Sequence, residues 1–344
     1  MTFNKIKYFF VATFLFVLAS CNTQEDSEVK ELNERADSLS IKLNSPQLKA
    51  VNAELLKDPN NASLYNKRAE VYLDLRQLPE AVGDALRAIK LDSTKADFYL
   101  TLTDAYFAQN KTRQAKDLLE IIEKKFPENT EALLKLGELY YLVRQYQKGI
   151  DYVNKALKID VNLAKGYYIK GSIYRESGDT AKAISSLQTA IEQDNKYEDA
   201  FVDLGVIYSA RKNPLALEYF DNALRINSAN ENARFARAKL LQDIGKMDEA
   251  ITEYQAILLK NSNCETCLYN LGAIYLEIKK DNNKALDYFT RAISVNPNYL
   301  EAYLARGFTY AKLKDKESAT ADYKMCLKLE PNYAAALQGL RELE

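Results

Sequence analysis

The sequence contains no histidine and no tryptophan, and only 11 glycines, 7 prolines and 4 cysteines in 344 residues. Without histidine there is no Ser-His-Asp or Cys-His catalysis and no imidazole metal ligand. Charge of neither sign prevails. The 47 Lys+Arg and 48 Asp+Glu leave a net charge of −1, which removes the bulk electrostatic drive toward nucleic acid. There is no Gly-rich phosphate loop and no carboxylate pair set apart from the general charge pattern. So little Gly and Pro beside 47% hydrophobic residues points to a folded, largely helical chain.

Long apolar runs are also scarce, and the conspicuous one lies at the start, MTFNKIKYFFVATFLFVLASC. Lys5 and Lys7 precede an apolar run from Tyr8 to Ala19. This is shorter than the about 20 residues of a comfortable membrane span and fits the apolar core of a secretory signal. Leu18-Ala19-Ser20-Cys21 resembles the lipobox of bacterial lipoproteins. The resemblance implies cleavage after residue 20 and lipid attachment at Cys21. Loss of Lys5 and Lys7 then leaves 45 basic against 48 acidic residues, net −3. Several acyl chains on one Cys hold a protein at a membrane far better than one. Asn22 is not the Asp that retains such lipoproteins at the inner membrane in enterobacteria, so the expected location is the outer membrane. Gln24 to Glu28 resembles the acidic export tag of Bacteroidetes surface lipoproteins, but a solvated linker fits the same residues. A periplasm-facing orientation is favoured over surface display.

The rest of the chain repeats itself. Tyr72, Tyr106, Tyr140, Tyr174 and Tyr208 are 34 residues apart, and Leu241, Tyr275 and Tyr310 continue at steps of 33, 34 and 35. A small residue stands three positions earlier in each case, from Ala69 to Gly307, and another about nine positions later, from Ala81 to Ala319. Tyr65, Ala69 and Tyr72 make one helical stripe, and Ala81, Ala85 and Ala88 make a second. Small residues let two antiparallel helices approach closely. A polar turn such as Ser177-Gly178-Asp179 separates the helices, with Gly permitting the left-handed conformation that ends one. One hairpin cannot bury its stripes alone, whereas stacked neighbours bury a continuous core.

This pattern resembles the tetratricopeptide repeat (TPR). The resemblance implies an all-α fold, an α-solenoid in which helix-turn-helix repeats form a right-handed superhelix. Eight units span 62–333: 62–95, 96–129, 130–163, 164–197, 198–230, 231–264, 265–299 and 300–333. Before them come the signal peptide 1–20, a linker and helix over 21–45, and a degenerate half-repeat cap over 46–61. After them comes a capping helix over 334–344, with Ala336, Leu337, Leu340 and Leu343 as its covering stripe. The sixth unit is the weakest match, because Arg234 stands where the family has Trp and Leu241 where the other units have Tyr.

Chemistry beyond packing is sparse. Cys264-Glu265-Thr266-Cys267 lacks the His of a haem site and the second pair of a zinc site. The two cysteines either close a short loop as a disulfide or stand as two thiols. Glu131 with Lys135, and Glu249 with Glu253, have the spacing of solvated helix faces. No enzyme activity, cofactor or metal is expected.

In TPR proteins the inner surface is lined by the second, fifth, ninth and twelfth residues of each first helix. Carried onto this chain, those positions supply Leu100, Phe107, Leu134, Tyr141 and Tyr168, and further along Tyr269, Leu304 and Phe308. The resemblance implies binding of a protein or peptide segment there; the same residues also suit packing between neighbouring first helices. Asn66 and Glu70 occupy places where some TPR adaptors carry a Lys/Asn clamp for a terminal carboxylate. The expected function is a non-enzymatic, membrane-tethered scaffold for envelope proteins, in secretion, outer-membrane assembly or control of cell-wall enzymes. The alternative is a glycan- or nutrient-capture lipoprotein, disfavoured by the missing Trp and insertions. A redox or metal role of Cys264 and Cys267 ranks lower still.

Overall fold

The computed structural model describes residues 45–344. The signal segment, the lipid-attachment residue Cys21 and the helix expected between Glu28 and Leu43 lie outside the described residues. The described residues form eighteen α-helices and no strand. They group into two compact units that meet in sequence at Asp160 and Val161.

The first unit holds α1 (Pro46–Lys57), α2 (Ala62–Asp74), α3 (Leu78–Leu91), α4 (Ala96–Ala108), α5 (Thr112–Lys125), α6 (Thr130–Leu142) and α7 (Tyr146–Ile159). The second holds α8 (Ala164–Glu176), α9 (Thr180–Gln193), α10 (Glu198–Ala210), α11 (Leu215–Ile226), α12 (Glu231–Asp243), α13 (Met247–Lys260), α14 (Glu265–Glu277), α15 (Asn282–Val295), α16 (Leu300–Lys312), α17 (Lys316–Leu329) and α18 (Ala334–Leu343). From α2 to α17 the helices pair as hairpins, each with a first and a second helix.

Local chemistry starts and stops these helices. Asn61, Asn129 and Asn230 cap first helices by accepting the N–H three residues on, and Asp179, Asp281 and Asp315 do the same for second helices. Each first helix ends in a left-handed residue: Arg76, Asn110, Arg144, Gly178, Lys212, Gly245, Lys280 and Lys314. The chain then turns so that a following N–H reaches back to the carbonyl of the repeated Tyr, as from Gln77 to Tyr72 and from Gln145 to Tyr140, both 2.8 Å.

In five of the hairpins a glycine of the first helix packs against a larger residue of the second. Gly205 faces the fully buried Phe220, and Gly272 faces Phe289. Repeated tyrosines stack across the same hairpins, Tyr140 on Tyr152 at 5.4 Å and Tyr208 on Tyr219 at 5.3 Å between ring centroids. The ends are covered. α1 buries Leu48, Val51 and Leu55. α18 buries Ala336 and lays Leu340 and Leu343 against Tyr323, whereas Leu337 points to solvent.

Charged residues also tie the hairpins together. Arg68 on α2 donates to Asp84 on its own second helix through Nε at 2.5 Å and Nη2 at 2.8 Å, and to Asn52 on α1 through Nη1 at 2.8 Å. Arg237 on α12 repeats the arrangement, reaching Glu253 on α13 and Asp221 on α11, each at 2.7 Å. Glu253 therefore does not lie on a solvated face. Its side chain is 14% exposed and also accepts from Arg234 at 2.8 Å, so the Arg that weakens the sixth repeat by sequence has a local partner. Lys135 is likewise 16% exposed and joins Asp104 at 2.6 Å and Glu131 at 3.6 Å.

Candidate functional site

In the first unit the first helices α2, α4 and α6 bring one face to a cavity of about 430 Å³. Asn66, Glu70 and Leu73 reach it from α2, and Asp97, Leu100 and Asp104 from α4. Glu131, at the start of α6, closes one side. These are residues spaced three and four apart along each helix, so helical geometry alone places them on one face.

The lining is largely polar, and of the eight residues expected from sequence to line an apolar groove it includes Leu100. Glu70, Asp97, Asp104 and Glu131 outnumber Lys67 and Lys95. Asn66 is 6% exposed; its Nδ2 donates to Glu70 Oε1 at 2.7 Å. Partial burial pushes the Glu70 carboxyl above its usual range; the Asn66 hydrogen bond opposes this, and the Asp97 and Asp74 charges add to it.

The eight residues singled out by sequence divide by environment. Leu100 and Leu134 are buried and pack between helices. Phe107 is half-buried against the core of the first unit. Tyr141 is half-buried, with its ring 6.4 Å from Tyr146. Tyr168 packs on Tyr197 at 5.1 Å, and burial, followed by the charges of Asp203 and Asp199, pushes its hydroxyl up to about 12. Tyr269 is held between Phe289 at 5.8 Å and Tyr299 at 5.3 Å. Leu304 joins the last core cluster. Phe308 is exposed, with the Lys312 ammonium 4.7 Å from its ring centre. Packing therefore occupies most of these side chains, and Phe308 alone of the eight is largely open to solvent.

Asn66, Asp97 and Asp104 form the polar cavity that the apolar reading passed over. The available signal was Asn66, whose polarity breaks the run of apolar and aromatic residues at the same repeat position, together with the acids Glu70 and Asp104 at the position four residues on.

Comparison with known proteins agrees with the hairpin geometry. Residues 100–162 match one tetratricopeptide repeat family model, 171–210 a second described as TPR repeat, and 266–299 and 300–333 a third. The chain carries tetratricopeptide repeats. It is 23% identical over 312 residues to a DnaJ homolog subfamily C member 7 homolog of Dictyostelium discoideum, covering 82% of this chain and 58% of that protein. The TPR array thus spans a little over half the length of that curated relative. A shorter likeness, 48% over 64 residues, is to a UDP-N-acetylglucosamine–peptide N-acetylglucosaminyltransferase of Giardia intestinalis. It covers 19% of this chain but 4% of the transferase, a repeat segment that carries no argument for transferase activity here. Among solved structures, the C-terminal part of a TPR repeat-containing protein from Cytophaga hutchinsonii superimposes with a TM-score of 0.59 at 18% identity. That match covers 69% of this chain and 98% of the other, and it shows the fold.

Within these TPR hairpins Cys264 and Cys267 are joined as a disulfide at the start of α14, with their Cα atoms 5.3 Å apart. The remaining described cysteine, Cys326, is buried where other repeats carry Ala, and burial pushes its thiol up to about 11. A high thiol pKa disfavours the reactive thiolate, which fits a packing residue. Among the described residues no cluster of three or more acidic or sulfur ligands is placed to hold a metal ion. No described helix is long and apolar enough to cross a membrane.

Proposed function

We propose that the chain is a non-enzymatic scaffold that holds a protein partner on the first-helix face of its repeats, tethered through a lipid on Cys21 to the outer membrane of a bacterium and facing the periplasm. The observation that carries the binding part is the cavity of about 430 Å³ built by α2, α4 and α6. Repeats stacked through their cores leave this face unfilled, and clefts lined by convergent polar groups are where ligands bind. The lipobox Leu18 to Cys21 supports the tether, and the exported setting makes envelope proteins the partner class. Secretion, outer-membrane assembly and control of cell-wall enzymes are the processes that need such a holder.

Two measurements test the reading. Cys21→Ala moves the protein out of the membrane fraction or leaves it as unprocessed precursor; normal processing with full membrane retention removes the lipid anchor. Affinity capture with the tagged full chain returns an envelope protein, and Phe107→Ala with Tyr141→Ala, or Phe308→Ala, weakens capture while melting is followed in parallel. Full capture by all these variants, with each of them stably folded, excludes the aromatic part of this face from partner binding.

A further inference from the structure

We infer that the cavity on α2, α4 and α6 is a subsite for a basic side chain, lysine or arginine, of an extended polypeptide partner. The inference rests on the reading of this face as a polypeptide-binding surface and names the chemistry of one residue that it accepts.

The cavity contains a buried hydrogen-bond acceptor without a donor. Asn66 is 6% exposed, its amide nitrogen is committed to Glu70, and its Oδ1 has no hydrogen-bond partner. Buried polar atoms in folded proteins are almost always satisfied, so this atom calls for a donor from outside. Lysine and arginine side chains carry donors only, three and five N–H groups respectively. The surrounding charge selects the same ligand. Four carboxylates line the cavity against two ammonium groups. One of those, Lys67, lies 3.7 Å from Glu54 on α1. Asp104 and Glu131 share Lys135, whereas Glu70, bonded to the Asn66 amide, and Asp97 line the same cavity from α2 and α4. Burial is the main cause that raises the Glu70 carboxyl, and the charges of Asp97 and Asp74 add to it, so a cation beside it is favoured on both counts.

Other ligand classes fit less well. A terminal carboxylate or phosphate would meet four acids. An apolar side chain would leave the Asn66 oxygen unpaired and strip water from Glu70. A cation satisfies the oxygen and neutralises the acids together.

The test uses the full chain and three capped alanine heptapeptides whose central residue is Lys, norleucine or Glu, titrated into isotopically labelled protein at low salt. The Lys peptide is expected to shift amide resonances between residues 63 and 104 and to bind roughly tenfold or more tightly than the other two. Glu70→Gln and Asn66→Leu should each weaken the Lys peptide by roughly tenfold, with melting temperature unchanged or raised. If Asn66→Leu does not fold, Glu70→Gln alone carries the comparison, because glutamine still accepts from the Asn66 amide. Added salt should weaken the Lys peptide selectively. Equal binding of Lys and norleucine peptides, binding untouched by Glu70→Gln, or no binding of the Lys peptide at millimolar concentration overturns the proposal. If a protein partner is still captured by the whole chain and lost with Phe107→Ala and Tyr141→Ala, those results remove the basic-residue subsite and leave the scaffold reading in place.

Discussion

Arg306 on α16 and Asp322 on α17 stand sixteen residues apart and meet through two hydrogen bonds, Nε to Oδ2 and Nη2 to Oδ1, both 2.8 Å. Nη1 of the same guanidinium reaches back to Thr290 at 3.2 Å, also sixteen residues away. Arg68 makes the same pair of connections in the first unit and Arg237 in the middle of the second. The guanidinium therefore ties a first helix both to its own second helix and to the preceding one. The carboxylate hydrogen bond raises the Arg306 pKa against the effect of burial, so the charge is held firmly.

Asp322→Ala is expected to cost about 3 kcal/mol, because it leaves Arg306 unpaired between Tyr303 and Tyr310. Arg306→Leu combined with Asp322→Leu should recover most of that loss, since no buried charge remains. Urea unfolding of the single and double variants measures both. A single variant as stable as the parent chain would show that the pair is not holding the last hairpin.

The left-handed turns make two substitutions act in opposite directions. Arg144 has φ 58° and Gly178 has φ 86° at equivalent places. An L-residue pays about 1 kcal/mol or more there, partly offset by a cation at a helix C-terminus. Arg144→Gly should raise the melting temperature and Gly178→Ala should lower it. Shifts of the same sign in calorimetry would contradict this account of the turns.

The helical glycines split in the same way. A Cβ at Gly205 would lie 2.6 Å from Phe220 Cε1, so Gly205→Ala should cost about 1–3 kcal/mol through overpacking. Nothing stands within 4 Å of a Cβ at Gly83, on the exposed side of α3. Gly83→Ala should gain up to about 1 kcal/mol of helix propensity. Denaturation midpoints of the two alanine variants on either side of the parent would verify the contrast.

Glu70 gives a pH signature. Its carboxyl is raised above the ordinary value of 4.5, mainly by partial burial, so its ionised form is disfavoured by folding. The penalty is absent below pH 4.5, where both folded and unfolded forms are protonated, and is fully present once the pH passes the raised value. Glu70→Gln should therefore stabilise the chain at neutral pH, with a gain that shrinks as the pH falls toward 4.5 and below. A gain that is constant from pH 4 to pH 8, read from melting curves, would refute a raised carboxyl.

Much of the fold was legible because the repeat is a spacing. The first helices begin at Ala62, Ala96, Thr130, Ala164, Glu198, Glu231, Glu265 and Leu300, where the 34-residue period starts its units. The tyrosines and small residues then fall on the facing sides of each hairpin. The arginine ties were hidden because sixteen residues is no period of a single helix. Arg68 and Asp84 become neighbours only when two helices are folded together in register. The turns were half-legible: Gly178 advertises itself, but Arg144 and Lys212 adopt the same conformation without glycine. At the site, ring partners such as Tyr197 against Tyr168 come from the loop before the next helix, and no stripe pattern pairs them. The lone acceptor on Asn66 is a property of three-dimensional surroundings and has no sequence signature.

The basic residues at several of the left-handed turns also give the two sets of turns opposite net charge. The eight turns from first to second helix carry a net charge of +6, whereas the nine turns before, between and after the hairpins carry −4. The overall net charge of −1 does not reveal this difference between the two sets of turns. The contrast is clear in single hairpins such as α6–α7, where Arg144 stands at one end and Glu128 and Asp160 at the other, so such a hairpin should adsorb to a charged surface by one end. On chromatographic media the protein should be retained by cation exchangers as well as anion exchangers at neutral pH, behaviour that its isoelectric point conceals.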